Sequence, residues 1–381
     1  MVRLVCVDDF KGKEARIKVI GVGGGGGNAI NRMLEADIRD VEFVAVNTDA
    51  QALQRNLAPA RLQIGEDITK GLGVGGDPEK GKQAALESTE QIKEIVNDCD
   101  LIFVTTGMGG GTGTGASPIV AQIAKENTTA LVVGVVTRPF GFEGAKRAEN
   151  AYAGIAEMRK YADSMLIIPN DRVLDIVSKD ADSAEAYRMV DDVLKQAIQG
   201  ISNVITNVGL VNVDFADVKK IMAKSGEALI GIGTAEGSNR HIEAARKAID
   251  SPLLESAIID GAKGILAIFT SSRNFSMHDL EASMEFIKKT VSADAFIKYG
   301  QFEDDNLGDT LKITVIATGF PTKSNFKSEI FSNKQVRRKE DRLRDWDDLN
   351  VHPSGASSVS DNIADLETPA YLRRRRGRIL K

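Results

Sequence analysis

Between Gly107 and Pro118 the chain reads GMGGGTGTGASP, in which six of the first nine residues are glycine and none of the twelve is charged. Glycine loses more backbone freedom on folding than any other residue, so such a density needs a use. The stretch follows an apolar run ending at Thr106, and Ser117 and Pro118 read as the N-cap and first residue of a helix. A glycine loop that feeds a helix N-terminus gathers free N–H groups and the positive end of the helix dipole, which makes an anion site. No lysine or arginine lies between Lys93 and Lys125. Phosphate charge would therefore be met by loop N–H groups, by the Thr112 and Thr114 hydroxyls, and by a bound cation. Mg²⁺ suits this role, because it binds through substrate phosphates and keeps several waters.

A second glycine stretch, GVGGGGGNAI from Gly21, follows the first apolar run and opens a helix at about Asn28. Gly21, Gly23 and Gly26 satisfy the spacing of a dinucleotide fingerprint. Asn47–Thr48–Asp49 then places an acid where a ribose contact is expected. An NAD-dependent dehydrogenase is one reading of this pattern. A dinucleotide fold needs one phosphate loop, whereas two suggest a polyphosphate gripped from two sides. A third glycine-rich turn, TKGLGVGGDPEKG (Thr69–Gly81), either closes over the terminal phosphate or is an ordinary surface turn.

The elements that must position these loops are legible as buried strands at Ile17–Val22, Phe43–Asn47, Leu101–Thr106, Leu131–Val136 and Met165–Pro169. Helical patterns such as Pro78–Val96 and Pro118–Lys125 lie between them, which implies a parallel sheet covered on both faces. One long helix is expected over Ala186–Asn207. It is followed by helices near Phe215–Lys224, Asn239–Ile249 and His278–Val291, with strands at Gly264–Thr270 and Leu311–Thr318. The fold class is α/β: a doubly wound parallel-sheet nucleotide-binding domain, a central helix, a second smaller α/β domain, then a disordered linker and a tail peptide.

Composition agrees with this plan. The 381 residues suffice for two domains of roughly 100–200 residues each. No apolar run approaches the roughly 20 residues of a membrane span, and the N-terminus does not read as a secretory signal. Two cysteines, Cys6 and Cys99, are too few for a disulfide framework and point to a reducing cytoplasm. The histidines His241, His278 and His352 show no metal spacing, and Cys99 reads as a packing residue. The net charge is −5, although the last nine residues, RRRRGRILK, hold six cations and no acids. The body is thus acidic, which argues against nucleic-acid binding. The basic end reads either as a solubilising tail or as a contact for an acidic partner or an anionic membrane.

GGGTGTG at Gly109–Gly115, GVGGGGGNA at Gly21–Ala29 and NVDFADV at Asn212–Val218 together resemble the FtsZ family of bacterial cell-division proteins, within the tubulin superfamily. VNTDAQAL, ITKGLG, PFGFEG, IPND and SPLLE are similar to further motifs of that family, in order over about 14–319, and DLETPAYLR at Asp365–Arg373 is similar to its partner-binding tail. The resemblance implies a self-assembling GTPase that binds GTP and GDP with Mg²⁺. It divides the chain into an N-terminal segment (1–13), a GTP-binding domain (14–185), a central helix (186–211), a second domain (212–319), a linker (320–360) and a tail (361–381). It places Gly23, Gly24, Gly25, Gly26, Gly27, Asn28, Asn47, Gly107, Gly109, Gly110, Gly111, Thr112, Gly113 and Thr114 around the nucleotide. Glu143 and Arg147 fall near the ribose and base, and Asn170, Tyr187 and Asp191 at the guanine. Many relatives carry phenylalanine where this chain has Tyr187. A carboxylate at 191 can accept from both N1–H and the 2-amino group of guanine, a pair that adenine does not offer. On spacing alone, Glu143 and Arg147 read equally as an i,i+4 surface ion pair, and Asp191 with Asp192 as a solvated helix face.

The same resemblance carries the chemistry. Asp214, Asp217 and Asn212 would enter the nucleotide pocket of a neighbouring subunit and polarise the attacking water. Taken without it, Asp214 is a helix N-cap and Asp217 a first-turn acid favoured by the dipole. The implied partners are further copies of the chain, head to tail, and membrane-tethering division proteins through 365–373. A weak anionic-membrane contact through 373–381 is added by the arginines. The implied place is the cytoplasmic face of the membrane at mid-cell, in the cytokinetic ring. A nucleotide-regulated scaffold without hydrolysis is the remaining alternative.

Overall fold

The structure is a computed structural model that describes residues 15–320, apart from 37, 39, 176, 178–181, 207–208, 255–260 and 273. The expected N-terminal segment 1–13, the linker past Phe320 and the tail 361–381 lie outside the described residues, as do Cys6 and His352.

The first half alternates strand and helix. β1 (Ile17–Val22), α1 (Gly23–Glu35), β2 (Val41–Asn47), α2 (Ala50–Gln54) and β3 (Ala60–Gln63) are followed by α3 (Glu66–Thr69), α4 (Pro78–Glu87) and α5 (Thr89–Val96). β4 (Leu101–Gly107), α6 (Thr112–Asn127), β5 (Leu131–Arg138), α7 (Ala145–Met158) and β6 (Ser164–Pro169) complete this half. The strands are parallel, in the order β3-β2-β1-β4-β5-β6. The order reverses between β1 and β4, and ligands of doubly wound sheets bind at the carboxyl ends of the strands beside such a reversal. Both glycine stretches leave those two strands there.

The second half runs α8 (Asn170–Leu174), α9 (Ser183–Thr206), α10 (Phe215–Met222), β7 (Gly226–Ala235), α11 (Arg240–Ile249), β8 (Gly264–Ser271), α12 (Met277–Thr290), β9 (Phe296–Glu303) and β10 (Leu311–Thr318). β7 extends the sheet from β6 by parallel pairing of Ser164–Leu166 with Gly226–Ala228. The order then continues β7-β10-β8-β9, with β10 antiparallel to both neighbours. Both α/β parts therefore share one sheet of ten strands among the described residues.

Alternation along the strands fills two faces. Val19, Phe103 and Val133 pack with α1 and α9, while Ile20, Ile102 and Val132 pack with α4 to α7. Strands buried on both faces must be apolar throughout, which is why they read as unbroken runs. α9 buries Val190, Val193, Leu194, Ala197, Ile198 and Ile201 along one stripe, so this 24-residue helix is held by packing from Val190 onward.

Four expectations are corrected. The first helix begins at Gly23 rather than near Asn28. The second begins at Thr112 with Gly111 as N-cap, which leaves Ser117 and Pro118 inside it. Glycine and proline are poor helix formers, but α6 is buried along most of its length, so packing overrides propensity. The single helix expected over Pro78–Val96 breaks at Ser88, whose Oγ accepts from Gly65 N at 3.0 Å. β7 and β9 were not expected. In β7, Cβ atoms on Gly231 and Gly233 would overlap the Ala248 and Ala244 carbonyls, so its glycines mark the close passage of α11.

Candidate functional site

The two glycine stretches meet directly. A Cβ on Gly23 would stand 2.8 Å from Gly113 N, and one on Gly25 would stand 3.0 Å from Gly107 N. One on Gly26 would stand 2.5 Å from Thr105 O. Gly23 also adopts φ +72°, a left-handed conformation open to glycine at little cost. The first turns of α1 and α6 thus converge on one spot beyond β1 and β4. In α6 the ladder starts with Gly115 N donating to Gly111 O at 3.0 Å. The N–H groups of Thr112, Gly113 and Thr114 precede it and have no helical acceptor. Gly24 and Gly110 would direct a Cβ into open space, so a ligand can approach the backbone there.

The threonines and the third glycine turn brace this cradle. Thr112 Oγ1 lies 2.6 Å from Thr48 Oγ1, and Thr114 Oγ1 accepts from Gly109 N at 2.8 Å. Asn47 Oδ1 accepts from Thr48 N at 2.8 Å and fixes the end of β2. The turn Thr69–Gly81 is more than a surface turn. Ala50 N donates to Gly71 O at 3.1 Å, Val74 is buried, and a Cβ on Gly111 would overlap the Val74 side chain and stand 2.8 Å from Asp77 N. Asp49 serves the fold: its Oδ1 caps α2, accepting from Gln51 N at 2.9 Å and Ala52 N at 3.1 Å. Asn28 lines an adjoining cleft with Asn31, Asn47 and Asn56.

A second cluster lies at the start of α8 and α9. Asn170 is buried, and its Oδ1 has no hydrogen-bond partner. A buried orphan acceptor is costly unless a ligand completes it. Tyr187 stands edge-on to buried Phe140, with ring centroids 5.3 Å apart at 87°, and the residue is 46% exposed, as a base-stacking platform requires. Phe142 stacks on Phe140 at 4.9 Å. Asp191 is not on a solvated face. Burial pushes its carboxyl up to about 7, with Arg32 opposing and Asp192 adding to the shift. Asp192 pairs with Lys195 at 2.7 Å. Glu143 and Arg147 form the i,i+4 ion pair at 2.5 Å, and Glu143 also accepts from Phe140 N at 2.9 Å.

Asn212, Asp214 and Asp217 are elsewhere. Asp214 occupies the N-cap position of α10, yet its side chain caps nothing and is exposed. Asn212 Oδ1 accepts from Gly209 N at 2.6 Å. Asp217 pairs with Lys298 at 2.8 Å. The next turn of α10 sends Lys219 to Thr129 O, just before β5. That is the amino end of the parallel strands, whereas the glycine cradle is at the carboxyl end. Leu101 to Gly107 alone spans about 20 Å, and Asp191 to Thr206 along α9 spans about 22 Å. Within one chain these acids cannot reach the cradle.

Sequence reasoning missed Thr48, Phe140 and Lys298. Thr48 and Phe140 lie inside quoted motifs, whereas Lys298 stands in a strand that was not expected. Cys99 is half-buried and donates to Val96 O at 3.0 Å, and burial pushes its thiol up to about 11, as suits a packing residue. His241 faces Asp279 at 3.5 Å, and His278 is exposed. Among the described residues no group of three or more His, Cys, Asp or Glu converges on a metal position, and no helix is long and apolar enough to cross a membrane.

A doubly wound sheet with two helix N-termini converging at its switch point, joined by a long helix to a second α/β part on the same sheet, defines a tubulin-like nucleotide-binding protein. The model of the Tubulin/FtsZ family GTPase domain matches residues 16–178, and that of the FtsZ family C-terminal domain matches residues 226–321. An empty FtsZ dimer from M. jannaschii is 40% identical, with a TM-score of 0.77 over 81% of this chain and 89% of that one. This chain belongs to the FtsZ family, and its first half is that family's GTP-binding GTPase domain. CetZ2 from Haloferax volcanii, solved as a GTPγS-bound protofilament, shares the fold at 22% identity and a TM-score of 0.72, over 86% of this chain and 99% of that one. CetZ1 from the same organism, a GDP-bound monomer, shares it at 24% and 0.69, over 81% and 96%.

Proposed function

We propose that this chain polymerises head to tail and hydrolyses GTP at the junction between subunits. The observation that carries the reading is the separation above: among the described residues the acids beside the cradle, Asp49 and Asp77, cap α2 and α4, whereas Asp214 and Asp217 lie at the opposite end of the same sheet. Stacking one copy on the next brings Asn212–Asp217 of one subunit to the cradle of its neighbour. The M. jannaschii FtsZ dimer and the CetZ2 protofilament support such stacking.

In this reading the N–H groups of Gly110–Thr114 and Gly23–Gly25 hold the phosphates, and Gly26, Gly27, Gly107 and Gly109 form the backbone around them. Asn28 and Asn47 line the sugar side, with Glu143 and Arg147 at the ribose and base. Asn170, Tyr187 and Asp191 hold guanine, the last through two accepted hydrogen bonds. Mg²⁺, held mainly on the phosphates, supplies charge neutralisation. Asp214 and Asp217 of the next subunit orient the attacking water, with Asn212 assisting. Hydrolysis then drives filament turnover. The filament is the cytokinetic ring at mid-cell, beneath the membrane, tethered by division proteins through 365–373 and touching anionic lipid weakly through 373–381. The domain boundaries proposed are those read from the sequence.

The test is Asp217→Ala. It binds GTP and sediments with it, but releases phosphate slowly. Normal release from this variant would refute the shared site. Sedimentation in GTP without any phosphate release from the unmodified chain would favour the non-hydrolysing scaffold.

A further inference from the structure

We propose that Lys298 is a positioning residue for hydrolysis: it fixes the Asp217 carboxylate before that carboxylate meets the neighbour's nucleotide. The inference rests on the shared-site reading above and adds a residue to it.

The acidic loop is strapped to β9 at two points. The first is backbone. Leu210 N donates to Gln301 O at 2.9 Å, and Gln301 N donates to Val211 O at 3.0 Å, as an antiparallel bridge. The second is three residues earlier on the same strand, where Lys298 Nζ meets Asp217 Oδ2 at 2.8 Å. Phe296 holds the same corner: Lys220 Nζ stands 4.1 Å and Lys298 Nζ 5.7 Å from its ring centroid, both within cation–π reach. The loop Leu210–Asp217 is thus clamped at both ends by one strand, and the downstream clamp is a side-chain pair.

The two acids differ in consequence. Asp214 is exposed, with no capping bond to hold it. Asp217 is directed by a cation of its own chain. A half-exposed pair such as Asp217–Lys298 contributes little to folding, on the order of 1 kcal/mol or less. Its leverage is geometric, because a water-orienting group displaced by about 1 Å can lose up to a hundredfold in rate. The lysine aims Asp217 through Oδ2 and leaves Oδ1 to accept from water.

The experiment uses the full chain and measures phosphate release per sedimented subunit, with GTP affinity measured separately in dilute protein. Lys298→Met is expected to lower release roughly tenfold while leaving GTP affinity and sedimented mass unchanged. Lys298→Arg, which keeps a cation in reach, restores most of the rate. In the Asp217→Ala background, Lys298→Met lowers the residual rate no further, because its effect passes through Asp217. Lys298→Gln repeats the test with a polar side chain should the methionine variant misfold. Unchanged release from both Lys298→Met and Lys298→Gln, with Asp217→Ala inactive, overturns the inference and spares the shared site. An equal further loss in the Asp217→Ala background also overturns it, since the lysine would then act independently. Normal release from Asp217→Ala removes the shared site and the inference together.

Discussion

Asp191 makes the guanine end of the site a titrating one. Its carboxyl ionises at about 7 in the empty chain, because burial disfavours the charge more than Arg32 favours it. Only the carboxylate can accept from both N1–H and the 2-amino group of guanine. With a pKa of about 7, the ionised fraction is about one-tenth at pH 6 and about nine-tenths at pH 8. GTP affinity should therefore fall roughly tenfold from pH 8 to pH 6, equivalent to about 1.4 kcal/mol. The terminal phosphate titrates near pH 6 as well, so the control is Asp191→Asn, which keeps the shape and removes the charge. The profile of that variant reports the phosphate alone, and the difference between the two profiles reports Asp191. Fluorescent-GTP titrations in dilute protein give both. Two parallel profiles would refute the argument. The same shift has a sign in stability. The unfolded carboxyl ionises near 3.9 and the folded one at about 7, so the contribution is full below the lower value and lost as pH rises through the upper one. GTP should stabilise the fold more at pH 8 than at pH 6.

Two further perturbations separate architecture from binding. Gly115→Ala would drive a Cβ into the Pro78 carbonyl and to 2.6 Å from Lys82 N, backbone on both sides, so α4 and α6 must part. It should cost about 3 kcal/mol or more in a thermal melt, whereas Gly24→Ala, which meets nothing, should leave the melt unchanged and weaken GTP binding. Equal melts for the two would contradict the packing. Asn170→Ala removes a buried acceptor that has no partner, so the empty chain should be no less stable while GTP affinity falls by about 1 kcal/mol. A melt lowered with affinity intact would show that Asn170 serves the fold instead.

The cradle was legible because its demand is local. A glycine-rich run between a strand and a helix announces itself in one stretch of sequence. The helix starts were misplaced because the clues were read by propensity, whereas the first turns of α1 and α6 are helical for a tertiary reason: Gly23, Gly25, Gly26 and Gly113 lack a Cβ where α1, α6 and β4 approach closely. The spacing of Glu143 and Arg147 gave an ion pair, and the structure has one. On spacing alone Asp191 read as a surface acid, since nothing in YRMVDDVL separates the acid whose charge burial disfavours from Asp192, which meets Lys195. Lys298 and Asp217 are 81 positions apart in the sequence, and no local pattern joins them. β9 escaped notice because it is only partly buried through Tyr299, so its apolar signal is weak.

The claim that one subunit completes the site of the next is tested most directly by GTP turnover per subunit across a range of protein concentrations. Turnover should be close to zero in dilute protein and rise steeply once subunits stack. A rate per subunit that stays constant from dilute to concentrated protein would contradict it.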